Sequence, residues 1–283
     1  MTYKIIGREF LNDRLAVIGL VIVLILLFTA LFAPFLAPDP NAVFDINPQK
    51  KLTSPSWEHP FGTDHMGRDI LSRVIFGTRI TIIIAIIAVG SALAIGVPIG
   101  LIAGYYENWL SGFLMRISDI FLSFPQFVLA LALAVALGPN IKNAILALSI
   151  TYWPWFSRIV YAETLFIKHS IFVEATEALG ANKFRIVAFH ILPNVLSPII
   201  VRATIGMGYT ILTAATLGFL GVGAQPPTPE WGLAISEARE YLPGAWWFAT
   251  FPGMAIFIVV MAFNMFGDGL RDVLDPRLRT SGK

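Results

Sequence analysis

The sequence predicts an all-α, polytopic membrane protein with six transmembrane helices, and three observations predict it. Of 283 residues, 56% are hydrophobic and only 13% charged, which is more apolar surface than a water-soluble chain of this length buries. The apolar residues gather into six runs of about 20, the length that crosses a bilayer as helix at ~1.5 Å per residue. Between the fourth and fifth runs lies a charged stretch, residues 172–194, reading FVEATEALGANKFRIVAFHILPN. It is too polar to span and is patterned as two short helices.

The first span, 16–36, ends in Pro34 and Pro38 rather than in a small-residue cleavage site, so it reads as an anchor and not a signal peptide. A long outer loop follows. Within it GTDHMGRDILSR, residues 62–73, reads as a turn and an interfacial helix, with Asp69 and Arg73 paired at i, i+4 and Ile70, Leu71, Val74 and Ile75 facing lipid or protein. The second span, 80–103, carries Gly96, Gly100 and Gly104 every four residues, a flat face for packing within this subunit or against a second one, and Pro98 admits a kink. The third and fourth spans fall at 120–137 and 143–160. The fourth is the weakest, because Arg158 has to snorkel to the interface. The last two fall at 195–222 and 246–266.

An even count puts both termini on one side. With the termini cytoplasmic, most Lys and Arg, from Lys4 and Arg8 to Arg277, Arg279 and Lys283, lie inside, as the positive-inside rule requires. Lys50, Lys51, Arg68, Arg73 and Arg79 in the outer loop run against the rule. The chain then divides into an N-terminal segment with the first span and outer loop (1–79), a transmembrane core (80–270) and a cytoplasmic tail (271–283).

On this orientation the charged stretch is cytoplasmic. Ser170 caps its first helix, on which Phe172, Ala175 and Leu179 share a face, and Glu174 is read as part of the coupling surface rather than as a merely solvated charge. Gly180 suits the left-handed conformation that ends that helix. The second helix places Phe184, Val187, Ala188 and Ile191 on one face, with His190 packed and neutral, and Pro193 after Leu192 stops it. Two helices apolar on one side and charged on the other form a docking surface.

Several chemistries are excluded. The only Gly-Lys dipeptide is Gly282–Lys283 at the extreme end, so no phosphate-binding loop exists. Zero cysteines exclude thiol catalysis and disulfides. His59, His65, His169 and His190 lack metal-ligand spacing, and a site from His65, Asp64 and Asp69 is weighed and set aside, so no metal is expected. No basic patch suits nucleic acid. Asn264, Asp268 and Arg271 read as an anchor at the end of the last span.

On the fifth span Arg202, Gly206, Tyr209, Thr213 and Thr216 share one helical face. Two readings stay open: a stripe lining a water-filled path for a polar solute, or a helix contact face with Arg202 snorkelling to the rim. Sparse intramembrane charge and the lack of a clear internal repeat argue against a stand-alone secondary carrier. A membrane scaffold without transport leaves the long outer loop unexplained.

The charged stretch resembles the signature of the permease subunits of binding-protein-dependent ABC importers, Glu-Ala-Ala, three residues, Gly, nine residues, Ile, one residue, Leu-Pro. Glu174, Ala175, Gly180, Leu192 and Pro193 match it, Thr176 replaces the third small residue, and His190 takes the Ile position. HILPN from His190 is similar to the variant of the dipeptide, oligopeptide and nickel branch. So are FAPFLAPDP after the first span, HPFGTDHMGRDILSR (59–73), GFLGVGAQPPTPEWG (218–232) and FNMFGDGLRDVLDPRL (263–278), which resemble the second of that branch's two permeases. The resemblance implies a type I ABC importer permease fold with cytoplasmic coupling helices at 171–192, in a multi-pass protein of the cell membrane that is not itself an enzyme. It further implies a homologous second permease, two ATP-binding cassette subunits that bind ATP and Mg, an extracytoplasmic solute-binding protein, no cofactor on this chain, and di- or oligopeptides as solute. Nickel chelates and oligosaccharides are the alternative cargoes.

Overall fold

The structure is a computed structural model and describes residues 10–274. The calls on Lys4, Arg8, Arg277, Arg279, Lys283 and most of the tail therefore lie outside the described residues. Helix α1 (Arg14–Leu36) is capped by Asp13, whose carboxylate accepts from the amides of Leu15 and Ala16. Residues 37–69 fold over one end of the bundle before α2 (Ile70–Tyr106) begins. Helices α3 (Trp109–Leu122), α4 (Gln126–Leu137) and α5 (Ile141–Lys168) follow, then α6 (Ile171–Ala178) and α7 (Lys183–Ile186). A π turn (Val187–Ile191) joins α7 to α8 (Leu192–Phe219), and α9 (Trp231–Ala238) and α10 (Trp246–Leu274) complete the chain. The described residues contain no strand.

Three of the expected spans need correcting. The second is not preceded by a separate interfacial helix: residues 70–106 form one helix of 37 residues, because nothing between Ile70 and Gly77 breaks it. Asp69 does not pair with Arg73 but caps this helix, its Oδ2 accepting from the Ser72 amide at 2.7 Å. The third span is not one straight helix over 120–137. It breaks by 86° between α3 and α4, since Pro125 lacks an N–H and its ring pushes Phe124 out of helical conformation. Pro193 does not stop α7. It stands in the first turn of α8, where its missing N–H is tolerated, and Lys183–Phe219 runs through as one apolar helical stretch of 37 residues.

Four helical stretches, Arg14–Leu36, Ile70–Tyr106, Lys183–Phe219 and Trp246–Leu274, are individually long and apolar enough to cross a membrane, and the bent α3–α4 pair makes a fifth. Helix α5 has the length, at 28 residues, but not the hydropathy. Tyr152, Trp153, Pro154, Trp155 and Arg158 replace aliphatic residues there, and α2, α4 and α8 enclose it in place of lipid.

The most extensive contact is between α2 and α5, which run parallel. A Cβ on Gly96 would strike Trp153 and Phe156, one on Gly100 would strike Ser157 and Val160, and one on Gly104 would strike Tyr161 and Thr164. The glycine row is thus the groove that seats α5. Helix α1 lies on α10, with Ala16 against Gly269 and Gly19 against Phe266. Since Ala16 and Gly269 meet near the ends of their helices, Arg14 and Leu274 lie at the same end of the bundle, the one that carries residues 171–191.

Candidate functional site

Residues 171–191 project from the end of the bundle where α2 and α5 finish. Helix α6 closes with a Schellman motif: the Gly180 amide donates to the Glu177 carbonyl at 2.9 Å and the Ala181 amide to the Thr176 carbonyl at 3.3 Å. Gly180 has φ +83°, the left-handed conformation that glycine adopts without Cβ strain. Thr176 fits beside it, because its hydroxyl donates to the Phe172 carbonyl at 2.7 Å. Ser170 occupies the N-cap position of α6, but its hydroxyl donates back to the Ile167 carbonyl at 2.5 Å and caps nothing. Asn182 caps α7, accepting from the Arg185 amide at 2.7 Å.

The faces of this pair differ from the periodic reading. Val173, Ile186 and Ile191 are buried against Ile167, Val195 and Leu101, whereas Ile171, Phe172, Leu179, Phe184 and Phe189 are exposed, Leu179 at 88% and Phe184 at 77%. The spacing Phe184, Val187, Ala188, Ile191 assumes 3.6 residues per turn, and the π turn inserts an extra residue. Ile186 and Ile191, five apart, therefore share the inward face and Phe184 turns outward. Glu174, Ala175, Gly180 and Pro193 are exposed, and His190 and Leu192 are half-buried. The Asn194 amide donates to the His190 carbonyl at 2.7 Å, filling an acceptor close to where Pro193 supplies no N–H.

An ion pair closes the bundle beside this segment, and a cation–π contact ties the segment to it. Lys168 bonds Glu107 at 2.6 Å, joining the ends of α5 and α2, and the Lys168 ammonium holds the Glu107 carboxyl below the usual carboxylate range. Lys183 of α7 lies 5.5 Å from the Tyr106 ring centroid at the end of α2. Any push on α6 and α7 therefore reaches α2, α5 and α8 directly.

The residues of the stripe on α8 differ in exposure. Gly206 and Thr213 are buried, Tyr209 is exposed and Thr216 half-buried. The hydroxyls of Thr213 and Thr216 donate to the carbonyls of Tyr209 and Leu212, both at 2.8 Å. Arg202 does not snorkel alone: its guanidinium lies over Trp155 and Tyr152 of α5.

At the opposite end the sequence concealed a buried ionic cluster. Asp64 (0% exposed) bonds Arg68 (1%) at 2.6 Å, Arg68 reaches Glu237 of α9 at 3.2 Å, and Arg73 lies 3.7 Å from Asp64. Arg73 also donates to the Val43 carbonyl at 2.9 Å, and His59 meets Asp69 at 3.0 Å. The one signal was the i, i+4 spacing of Asp64 and Arg68. Asp64, His65 and Glu237 bring ligand atoms within 4.8 Å of one another. Arg68 bonds both carboxylates and Arg73 adds a second positive charge beside Asp64, so two cations already balance the two anions and a metal ion does not fit. Glu230 is buried beside this cluster, capping α9 through the amides of Gly232 and Leu233, and burial pushes its carboxyl up to about 7.

Residues 96–280 match the profile of the binding-protein-dependent transport system inner membrane component, and residues 3–55 match the N-terminal TM domain of oligopeptide transport permease C. The chain is 45% identical to the dipeptide transport system permease protein DppC of Alkalihalophilus pseudofirmus over 96% of its own length and 89% of the relative's. It is 42% identical to the glutathione transport system permease protein GsiD of Pectobacterium atrosepticum, over 96% of this chain and 90% of that one. In fold it is similar to a subunit of the MetNI methionine ABC transporter in an inward-facing conformation, with TM-score 0.59 and 21% identity over 72% of this chain and 96% of the other. The chain belongs to the family of inner-membrane permease components of binding-protein-dependent ABC importers.

Proposed function

We propose that this chain is one of two permeases in a peptide importer of the cell membrane, with residues 171–191 cytoplasmic and docked on an ATPase subunit. The observation that carries the reading is an exposed apolar face, Ile171, Phe172, Leu179 and Phe184, on helices anchored through Val173, Ile186 and Ile191. Such a face left in water is a site for a partner, and its anchorage lets ATPase closure do work on α5 and α8. In this reading the termini are cytoplasmic, and the cap of residues 37–69 and α9 faces the solute-binding protein. ATP and Mg belong to the ATPases, and this chain contributes no catalytic group. The names of the dipeptide and glutathione permease relatives support short peptides as the cargo. Uptake of a labelled dipeptide by proteoliposomes holding both permeases, the ATPases and the binding protein tests the proposal. ATP-dependent accumulation is expected, and ATP hydrolysis without peptide accumulation would contradict the assignment of cargo.

A further inference from the structure

Arg202 lies ten residues into α8, about 15 Å along the helix from Leu192. Its guanidinium carbon is 4.5 Å from the ring centroid of Trp155 and 5.5 Å from that of Tyr152. Its Nε is buried and makes no hydrogen bond, and among the described residues no carboxylate pairs with it. Asp119 of α3 is bonded to Arg158, one helical turn from Trp155, at 2.5 Å. Arg202 is half-buried within an apolar helix, and an arginine there without a counter-charge is costly and calls for an anion.

The surroundings are shaped for one. Aromatic faces attract a guanidinium without occupying its N–H donors, so the planar fork keeps its donors for a carboxylate held bidentately. Gly206, one turn beyond Arg202, makes this possible: a Cβ there would collide with the Tyr152 hydroxyl, and its absence lets the ring lie against α8. Tyr209 continues the row, its ring 6.3 Å from that of Tyr152 and inclined by 17°. Trp155, though not Arg202 itself, also borders a cavity of about 290 Å³ between the α3–α4 elbow and α5, with Ser123, Gln126 and Thr151 on its wall. That volume approaches the ~300 Å³ at which small-molecule pockets begin.

From this geometry we infer that Arg202, backed by Trp155 and Tyr152, receives the carboxylate of the solute as it passes through the membrane. The inference rests on the peptide-import reading and deepens it, since every free peptide ends in a carboxylate. Of the stripe on α8 it keeps Arg202 and Tyr209 and discards Thr213 and Thr216, whose hydroxyls are spent on their own helix.

The test uses the complete transporter with its binding protein, supplied with an equimolar mixture of dipeptides and of the same dipeptides C-terminally amidated, each at saturation of the binding protein. In Arg202→Gln, uptake of the free acids should fall about tenfold relative to the amides, with ATPase stimulation by the loaded binding protein retained. Arg202→Lys, which keeps the charge but not the fork, should fall between. Equal loss of acids and amides would overturn the inference, assigning Arg202 to structure or to an acid on a neighbouring subunit. A loss seen only in vesicles containing phosphatidylglycerol, and absent from wholly zwitterionic ones, would assign the site to a lipid phosphate and overturn it likewise. If the wild type accumulated neither acids nor amides, the peptide reading would fall and this inference with it. Uptake with unaltered discrimination would remove the inference alone.

Discussion

The two ends of the bundle treat charge and apolar surface in opposite ways. At the cap, Asp64, Arg68 and Arg73 are buried in contact with one another, Glu230 is buried on backbone amides, and Trp231 and Phe248 are buried there too. At the other end Glu174, Lys183 and Arg185 are exposed together with Ile171, Leu179 and Phe184. A region whose ionic groups find one another and whose aromatics are covered is complete within the chain. A region that leaves large apolar side chains in water while anchoring their helices firmly is complete only in an assembly. On the proposed reading the cap carries stability and the 171–191 segment carries association, so substitutions at the two ends should fail in different ways.

The largest effect is expected at the cap. Asp64→Ala strands Arg68 and Arg73 in a buried site, and breaking such a pair costs roughly 3–5 kcal/mol, read as a lowered thermal transition of the detergent-solubilised protein. A smaller effect follows from Glu230. Its pKa of about 7 lies above the 4.5 of a free glutamate carboxyl, so the folded state binds the proton more tightly than the unfolded state. Stability from this group is full below about 4.5 and declines as pH rises through about 7. Glu230→Gln should flatten that decline in melts taken across this range. At the opposite end, Gly180→Val forces a β-branched residue to φ +83°, a strain of roughly 1–2 kcal/mol confined to the α6–α7 turn. Attachment of the ATPase and transport should fall while membrane insertion stays intact. The smallest stability effect is expected for Leu179→Asp, about 0.5 kcal/mol or less for an exposed site, with a large loss of ATPase co-purification. A melt as low as that of Asp64→Ala would erase the distinction between the ends.

Much of this architecture was legible because lipid imposes a simple rule on composition. The run 16–36 and the glycines at 96, 100 and 104 announced a span and a groove, and the Glu174–Gly180 spacing announced a turn that the Schellman bonds realise. What escaped has local physical causes. The bend at Pro125 was signalled only by one proline within an apolar run, and apolarity alone does not distinguish a straight helix from a broken one. The inward face of α7 was misassigned because the π turn shifts the repeat, so Ile186 replaced Phe184 inside. The five basic residues of the outer loop looked like an exception to the orientation rule. Arg68 and Arg73 are instead buried structural cations neutralised by Asp64 and Glu237, partners brought together by a fold that no local spacing encodes.

The sequence has no cysteine, which makes site-specific cross-linking the most direct test of the central claim that the segment 171–191 is where an ATPase docks. Single cysteines placed at Ala175, exposed on α6, and at Trp57, fully exposed on the cap, are to be treated with a short bifunctional reagent in membranes holding the assembled transporter. The account predicts a cross-link to an ATPase subunit from Ala175→Cys and none from Trp57→Cys. An ATPase cross-linked to the cap position, and absent from Ala175→Cys, would contradict it.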